Sequence, residues 1–586
     1  MYAGISNIVT IPSSAGDKKI IVASTGYVYL QLTYSWNKDK RQPNTKRVSI
    51  GKVNPGQHGT MFAGKHYEEY YGPTDPEVTR LRTQFQATRL AGKMDIRMAY
   101  GPYAIIMAVY EKTGCLSALQ RSFARDWKLI VGLTVQAIVD ETTTSQSFPG
   151  WCFDHYCGLD RVVSDSEVSD MYRRISEHSG DIKVFFSLYN KEFKSRYPCS
   201  SRRVTGFDST NQNHYGSGVT TAEKGHPKID LDLPITNTAM FADEETGMPL
   251  WYEHFDGSVL DKTQTPYSLD KVTQHGFQRL FIVFDRGYYS EDMIKEINRL
   301  EQLDYGILCP EGTTWVDNLI AKHGSAIKDK QQYYIMDENV YGNCYKVQPF
   351  EDGKHYYAYL FYDASRAEDE RASVHSAFRY YWEKAESRKY YSVKMEKEFA
   401  SKGIIVVKLD KPDPQTGKSF MLAEDTAHIQ ALLNSKGYFV MISPTKLKTC
   451  DAIHYIRNRD KVEKLFDRLM NHFGLRVTYR HNDATFEGLM FMAFIGLIGI
   501  SGVTYYMKDI LHMKTSTTLA TIFAEMNKYK IEQHSDNKWY PGYAMSKTQK
   551  DICAKVGLTE ESIAETVASI VTKSQPFSSG QNAQSC

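Results

Sequence analysis

Residues 488–507, GLMFMAFIGLIGISGVTYYM, hold no charged side chain over 20 positions. A run of that length is either a membrane span or a helix enclosed by a large protein core. Four glycines, Ser501 and Thr504 interrupt it, and no second such run occurs in the 586 residues. We therefore expect a buried helix, no membrane partner, and a core large enough to surround that helix. The length predicts roughly two to four domains. The composition, 42% hydrophobic and 24% charged, excludes disordered and fibrous classes.

The overall charge of +2 hides an asymmetry: residues 1–100 carry 14 Lys and Arg against 7 Asp and Glu. A basic end suggests an anionic partner there, commonly nucleic acid, although a solvated basic face reads the same way. Within it, alternating residues 20–52 predict a β-hairpin with the basic tip NKDKRQPNTKR, where Lys38, Lys40, Arg41, Lys46 and Arg47 suit phosphate contact. Residues 76–135 read as helices. The nine cysteines are scattered and odd in number, which argues for a reducing cytosol rather than a disulfide framework. The start of the chain lacks the pattern of a signal peptide. Cys152, His155 and Cys157 lack a second ligand pair at zinc-site spacing and read as a packed aromatic segment.

Leu280 to Phe284 form an unbroken apolar run that meets Asp285, Arg286 and Gly287. Such a run predicts a strand covered on both faces. An acid at its end is either a turn residue or a site, because ligands of open α/β sheets gather at the carboxyl ends of strands. Arg286 and Gly287 fit the turn. Upstream, the strand-like run through Val204 and Phe207 reaches Asp208, then Ser209, Thr210 and Asn211. Between the two acids, Thr236–Ala242 and Pro249–Phe255 read as two strands joined by DEETG, so the segment predicts a meander. A third acid would complete a metal-holding set. Glu463 borders the apolar stripe Val462, Leu465, Phe466 and Leu469, where a ligating carboxylate must stand. A bland alternative is an Arg459–Glu463 pair at i, i+4, worth a few tenths of a kcal/mol. The rival acid, Glu487, suits the start of the apolar helix.

The segments FDST, LPITNTAMFADEETGMPLWYEHFDG, FDRGYYS and RDKVEKLFDRL…FEGLMFMAFIGLI together resemble DDE transposases of bacterial insertion sequences. The likeness is to a subgroup with a β-rich insertion before the glutamate and a Tyr-Arg-Glu-Lys signature around it. It implies an α/β fold: a ribonuclease H-like domain, its mixed sheet flanked by helices. Expected divisions are a basic N-terminal α+β DNA-binding region (1–95), a helical region (96–200), the first catalytic part (201–310), the β-rich insertion (311–440), the second catalytic part (441–515), and a helical C-terminal region with a tail (516–586). Asp208, Asp285 and Glu463 fall on the catalytic triad and Arg459 on the signature Arg. The signature Tyr position is Ile456, with Tyr455 beside it, and the signature Lys falls on Met470. The lost phosphate contacts would have to come from Tyr455, Arg468 or Arg457. Arg286 is a further DNA-binding candidate. Trp315 and Trp382 are candidates for holding a displaced base, or are core residues.

Three carboxylates without His or Cys select hard divalent ions, Mg²⁺ or Mn²⁺. Two ions in one site would serve in-line phosphodiester displacement. The expected activity is hydrolysis that frees a 3′-OH at each element end, then attack of that 3′-OH on target DNA. Implied partners are double-stranded DNA, as inverted-repeat ends and target, and a second copy of the chain on DNA. The setting would be the bacterial cytoplasm, at the nucleoid. Alternatives are a transposase-derived DNA-binding protein and a ribonuclease H-like nuclease without strand transfer. Ser546–Ser569 has the texture of a helix-turn-helix, or of a plain helical hairpin.

Overall fold

The structure is a computed structural model. It describes residues 8–570 apart from 15–17, 38–41, 55, 57, 65, 72–95, 200–201, 230, 275–279, 301–302, 514–516, 535 and 537. Two compact units divide the chain, Met1–Asp95 and Ile96–Cys586.

In the first unit β1 (Ile8–Thr10), β2 (Lys19–Val22), β3 (Tyr27–Asn37), β4 (Gln42–Val53) and β5 (Thr60–Ala63) form an antiparallel sheet in the order β1-β5-β4-β3-β2. Val28, Leu30, Ile50 and Met61 are its fully buried core. The expected hairpin is β3–β4, with a shorter tip than the sequence suggested: Asn37 pairs with Gln42, so Lys46 and Arg47 are strand residues. Both are exposed, and the Arg47 guanidinium lies 4.7 Å from the Tyr29 ring centre. Lys38, Lys40 and Arg41 lie outside the described residues, as do residues 76–95 of the expected first helices.

The second unit opens with β6 (Ile96–Ala99) and the helices Gly101–Thr113, Cys115–Ser122, Trp127–Asp140, Asp165–Glu177 and Ser179–Arg196. Its central sheet is mixed. The strands are β7 (Arg203–His214), β8 (Ile235–Asp243), β9 (Pro249–Asp256), β10 (Leu280–Phe284), β11 (Leu303–Leu308), β12 (Tyr334–Ile335), β13 (Val340–Val347) and β14 (Tyr356–Tyr362). After the separate pair β15 (Ile404–Lys408) and β16 (Phe420–Glu424), β17 (Tyr438–Ser443) and β18 (Val477–Thr478) return to it. The order is β12-β13-β14-β17-β11-β10-β7-β8-β9, with β18 beside β7. Farther on, β19 (Lys530–Gln533) joins β6 and β20 (Trp539–Pro541) in a small sheet, so the expected helical C-terminal region also contains strands. The helix-turn-helix texture corresponds to helices Lys547–Lys555 and Glu560–Ala568.

Three expectations need correction. The run β7-β8-β9 is an antiparallel meander, but β10 does not continue it. The helix Asp261–Gln274 carries the chain back so that β10 pairs in parallel with β7 on the opposite side from β8. Asp208 does not end its strand, because β7 runs on to His214. Nor is 311–440 a β-rich insertion. The helices Thr314–Ile327, Ala364–Glu386, Val393–Ala400 and Thr426–Asn434 cover more of it than strands do, and β12, β13 and β14 extend the central sheet.

The uncharged run lies in the helix Asp483–Tyr506, buried along nearly its whole length. It packs against the helices Asp165–Glu177, Trp127–Asp140 and Gly101–Thr113. Close approach explains its glycines: a Cβ at Gly488 would press on the Tyr172 backbone, and one at Gly502 would strike Val109. The apolar helix therefore lies in the core of the second unit, the second of the two readings its length and composition allowed. Trp151 stacks on His155 at 4.4 Å, and the thiols of Cys152 and Cys157 lie 3.5 Å apart beneath.

Candidate active site

The parallel ladder pairs Leu280 with Arg203 and Val283 with Gly206, an offset of 280 − 203 = 77. Asp208 and Asp285 differ by the same 285 − 208 = 77. The ladder ends at Val283 and Gly206, and Asp285 follows β10 directly, so the two acids lie just past the paired region of neighbouring strands, near enough for Asp285 to act on the Asp208 carboxyl. Phe281, Ile282, Val283 and Phe284 are fully buried, so the strand that ends at Asp285 is anchored along its length. Asp285 is followed by a 3₁₀ turn, Arg286–Tyr288, and its carboxylate does not cap that turn. Turn and site thus coincide, with the side chain left for the site.

Tyr288 binds this corner together. Its hydroxyl shares a 2.9 Å hydrogen bond with Ser209 Oγ and donates to Asp208 Oδ1 at 3.4 Å, while the Ser209 N–H donates to the same oxygen at 2.8 Å. Burial pushes the Asp208 carboxyl above the usual carboxylate range. Lys228, the Ser209 N–H and Arg459 pull the other way, and the nearby Asp285 adds to the rise. Lys228 donates from Nζ to the Ser209 carbonyl at 2.8 Å. No local pattern in the sequence marks Lys228 or Tyr288 as part of this cluster.

Glu463 arrives from the other side of the sequence. The helices Thr449–Asn458 and Asp460–Asp467 break at Arg459. The second one seats Val462 on Gly206, where any Cβ would collide with Val462 Cγ2. Gly206 lies two residues before Asp208, so this seat sets the helix that carries Glu463 against the strand that carries Asp208. Arg459 Nη2 donates to Glu463 Oε1 at 2.7 Å, so the bland i, i+4 pair is present. Its charge also feels both aspartates. Burial works against the guanidinium, but Asp285, Glu463 and Asp208 outweigh it and hold its pKa above the ordinary range. Arg459 Nε and Nη1 are buried without hydrogen-bond partners. An unpartnered acid is close: both Glu244 oxygens are buried without hydrogen-bond partners, and burial pushes that carboxyl well up against the pull of Lys461 and Arg459.

The donor set around Arg459, oxygen atoms only, fits a hard divalent ion. Among the described residues no three His, Cys, Asp or Glu side chains converge closely enough to hold one. The guanidinium of Arg459 pairs with Glu463 and acts on Asp208 and Asp285 through its charge.

Other predicted contacts are engaged elsewhere. Tyr455 packs its ring 5.4 Å from Phe281. Trp315 donates from Nε1 to the Tyr289 hydroxyl at 2.7 Å and packs on the core, which fits its core reading. Trp382 packs beside the β15–β16 pair. Met470 is buried. Arg468 donates to Ser501 Oγ and Thr504 Oγ1 of the apolar helix, and burial brings its pKa down to about 10. It is thus a packing residue and not a replacement for the signature Lys. Arg457 pairs with Asp363 at 2.6 Å and Arg286 with Glu311 at 3.4 Å. Glu487 accepts from the Tyr252 hydroxyl at 2.9 Å at the start of the apolar helix, as expected for the rival acid.

Comparison with known proteins adds the following. A piggyBac transposase synaptic complex with hairpin DNA is 9% identical, with 81% of this chain and 84% of that one covered and a TM-score of 0.32. A Mos1 transposase paired-end complex with its left transposon end is 12% identical over 46% and 80%, with a TM-score of 0.14. Both likenesses are too weak to bear on fold or chemistry. No curated protein matches the chain. A family profile described as the transposase DDE domain matches residues 200–498, just over half of the 586 and spanning Asp208, Asp285 and Glu463. The chain belongs to the transposase DDE domain family.

Proposed function

We propose that the protein cuts DNA at the ends of its own mobile element, a bacterial insertion sequence, and joins the freed 3′-OH ends to target DNA. The reading is carried by one observation: Asp208 lies on β7 and Asp285 directly after β10, the parallel neighbour of β7, with Glu463 on the helix that Gly206 admits against β7. The mixed sheet and its helices would then be a ribonuclease H-like catalytic domain, and Asp208, Asp285 and Glu463 the three ligands. Two Mg²⁺ or Mn²⁺ ions, when bound, would supply Lewis-acid activation of the attacking and leaving oxygens of an in-line phosphodiester displacement.

The chain's own groups do the positioning. The β7–β10 ladder sets the distance between the aspartates. Tyr288 and the Ser209 N–H orient the Asp208 carboxylate. Arg459, together with Lys228 at Asp208, offsets the charge of the three acids, and its two unpartnered nitrogens can turn to a DNA phosphate. Lys46 and Arg47 on β4 present charge for the DNA ends. Two element ends must be brought together, so a dimer on DNA is the working form, acting in the cytoplasm at the nucleoid.

The full-length protein, incubated with Mg²⁺ and the DNA that flanks its gene, should give end cleavage followed by joined product. Asp285→Ala should reduce both by roughly three orders of magnitude, since it removes a group that acts only as part of a unit. Wild-type rates in that variant would remove the assigned site. Cleavage with no joined product would favour the nuclease reading, and binding with neither would favour a DNA-binding derivative.

A further inference from the structure

Three cations converge on one carboxylate beside Asp285. Glu311 follows β11, the parallel neighbour of β10, so Glu311 and Asp285 lie beyond the carboxyl ends of adjacent strands. Lys436 Nζ lies 2.8 Å from Glu311 Oε2, while Arg286 Nη1 and Arg366 Nη2 lie 3.4 and 3.7 Å from Oε1. Those cations come from three separate places: the turn after Asp285, the helix Ala364–Glu386, and the approach to β17. Two of them are held from behind. Arg366 lies 5.0 Å from the Phe439 ring centre and pairs with Glu370 at 2.7 Å, and Lys436 is only 17% exposed. Glu311 is 50% exposed, so the negative partner is the solvent-facing member. Burial pushes its carboxyl up, but Lys436, Arg286 and Arg366 outweigh this and keep it below the ordinary range. Arg286, Glu311 and Lys436 line a cavity of about 880 Å³ whose wall adds Lys328 and Arg371.

We infer that this cluster is a binding site for a DNA backbone phosphate next to the scissile position, and that Glu311 fills it as an internal phosphate substitute until DNA displaces it. The inference rests on the function proposed above. A carboxylate with two oxygens on three cations offers much the charge and shape of a phosphodiester. Exposed ion pairs are individually weak, so a polyanion can replace Glu311 readily. The contact would thereby restrain the protein from clinging to DNA that is not correctly placed at Asp285.

The test is binding of a fluorescein-labelled duplex to the full-length protein in EDTA, by anisotropy over a range of salt. Glu311→Gln should bind roughly threefold to tenfold tighter than wild type, the scale of two or three weak ion pairs released. Lys436→Gln should bind more weakly and should cancel most of that gain when combined with Glu311→Gln. Melting temperatures would confirm that each variant folds. Unchanged or weaker binding by folded Glu311→Gln overturns the inference, as does a gain that persists in full in the double variant, or no duplex binding at all. Tighter binding by Glu311→Gln with no cleavage of element ends would instead overturn the transposase reading and leave this site standing. Cleavage together with unaltered Glu311→Gln binding would do the reverse.

Discussion

Asp208 stands on β7 and Asp285 directly follows β10, two strands joined by a backbone ladder, and Ile282 and Val283 of β10 are fully buried. Glu463 stands on an eight-residue helix held to that ladder by side-chain packing at Gly206 and tied by an ion pair to Arg459. Its side chain is 51% exposed. Backbone hydrogen bonds allow no sliding without breaking a register, whereas a short helix on a side-chain contact can shift or rotate. The strand half of the site is therefore fixed before any ligand arrives, and the helix half is where adjustment can occur.

The largest effect should follow from breaking the helix half at its seat. Gly206→Val places a branched side chain where even a Cβ collides with Val462. Forced overpacking of this kind costs about 1–3 kcal/mol. The resulting displacement of Glu463 should lower end cleavage about 100-fold, the scale of a 1 Å misplacement. Melting and cleavage assays on the variant check this. Cleavage that fell only in proportion to the unfolded fraction would mean that the helix is not seated for catalysis.

Arg459→Ala sharpens the same contrast from the ligand side. It removes the cation that the three acids share, so Mn²⁺ should bind roughly tenfold tighter by calorimetry, because one repulsive charge is gone. DNA cleavage should nevertheless fall. Mn²⁺ binding that weakened instead would show that Arg459 orients Glu463 and does not compete with metal.

How much of this was readable along the chain differs between the same two halves. The interval of 77 residues and the apolar run before Asp285 were visible, and so was the amphipathic border on which Glu463 lies. The return of β10 to β7 was not, because the chain order suggested a continuing meander. Asp208 looked like a strand end because Ser209 to His214 are polar. In the structure these residues are strand, and Gln212 finds a partner across the sheet, where its side-chain oxygen accepts from Thr238 Oγ1. Residues 311–440 looked β-rich through their tyrosines, yet Tyr380 and Tyr381 are helical while Tyr356 and Tyr359 extend the central sheet. Arg468 and Trp315 show in sequence as a charge and an aromatic. Their roles depend on Ser501, Thr504 and Tyr289, which no local spacing reveals. Lys436 and Glu311 are 125 residues apart, so their pairing was equally out of reach.

The smallest shift in stability should come from Asp208→Asn, and it tests the strand half. The folded protein holds this carboxyl above its ordinary value of 3.8, mainly through burial. Ionisation is thus harder in the folded than in the unfolded chain. The sign follows: wild type keeps its full stability below pH 3.8 and loses some as pH rises through the folded-state value. An asparagine cannot ionise, so the variant escapes that loss. Its melting temperature should exceed that of wild type by a few degrees at most at neutral pH, and the difference should shrink toward zero as pH falls below 3.8. Thermal melts of both proteins across this range measure it. The same substitution should abolish cleavage, so one residue would raise stability and remove activity together. A strand acid kept only to close a turn would produce neither result. A variant less stable than wild type at neutral pH would mean that the Tyr288 and Ser209 hydrogen bonds to Asp208 outweigh the cost of burying its charge.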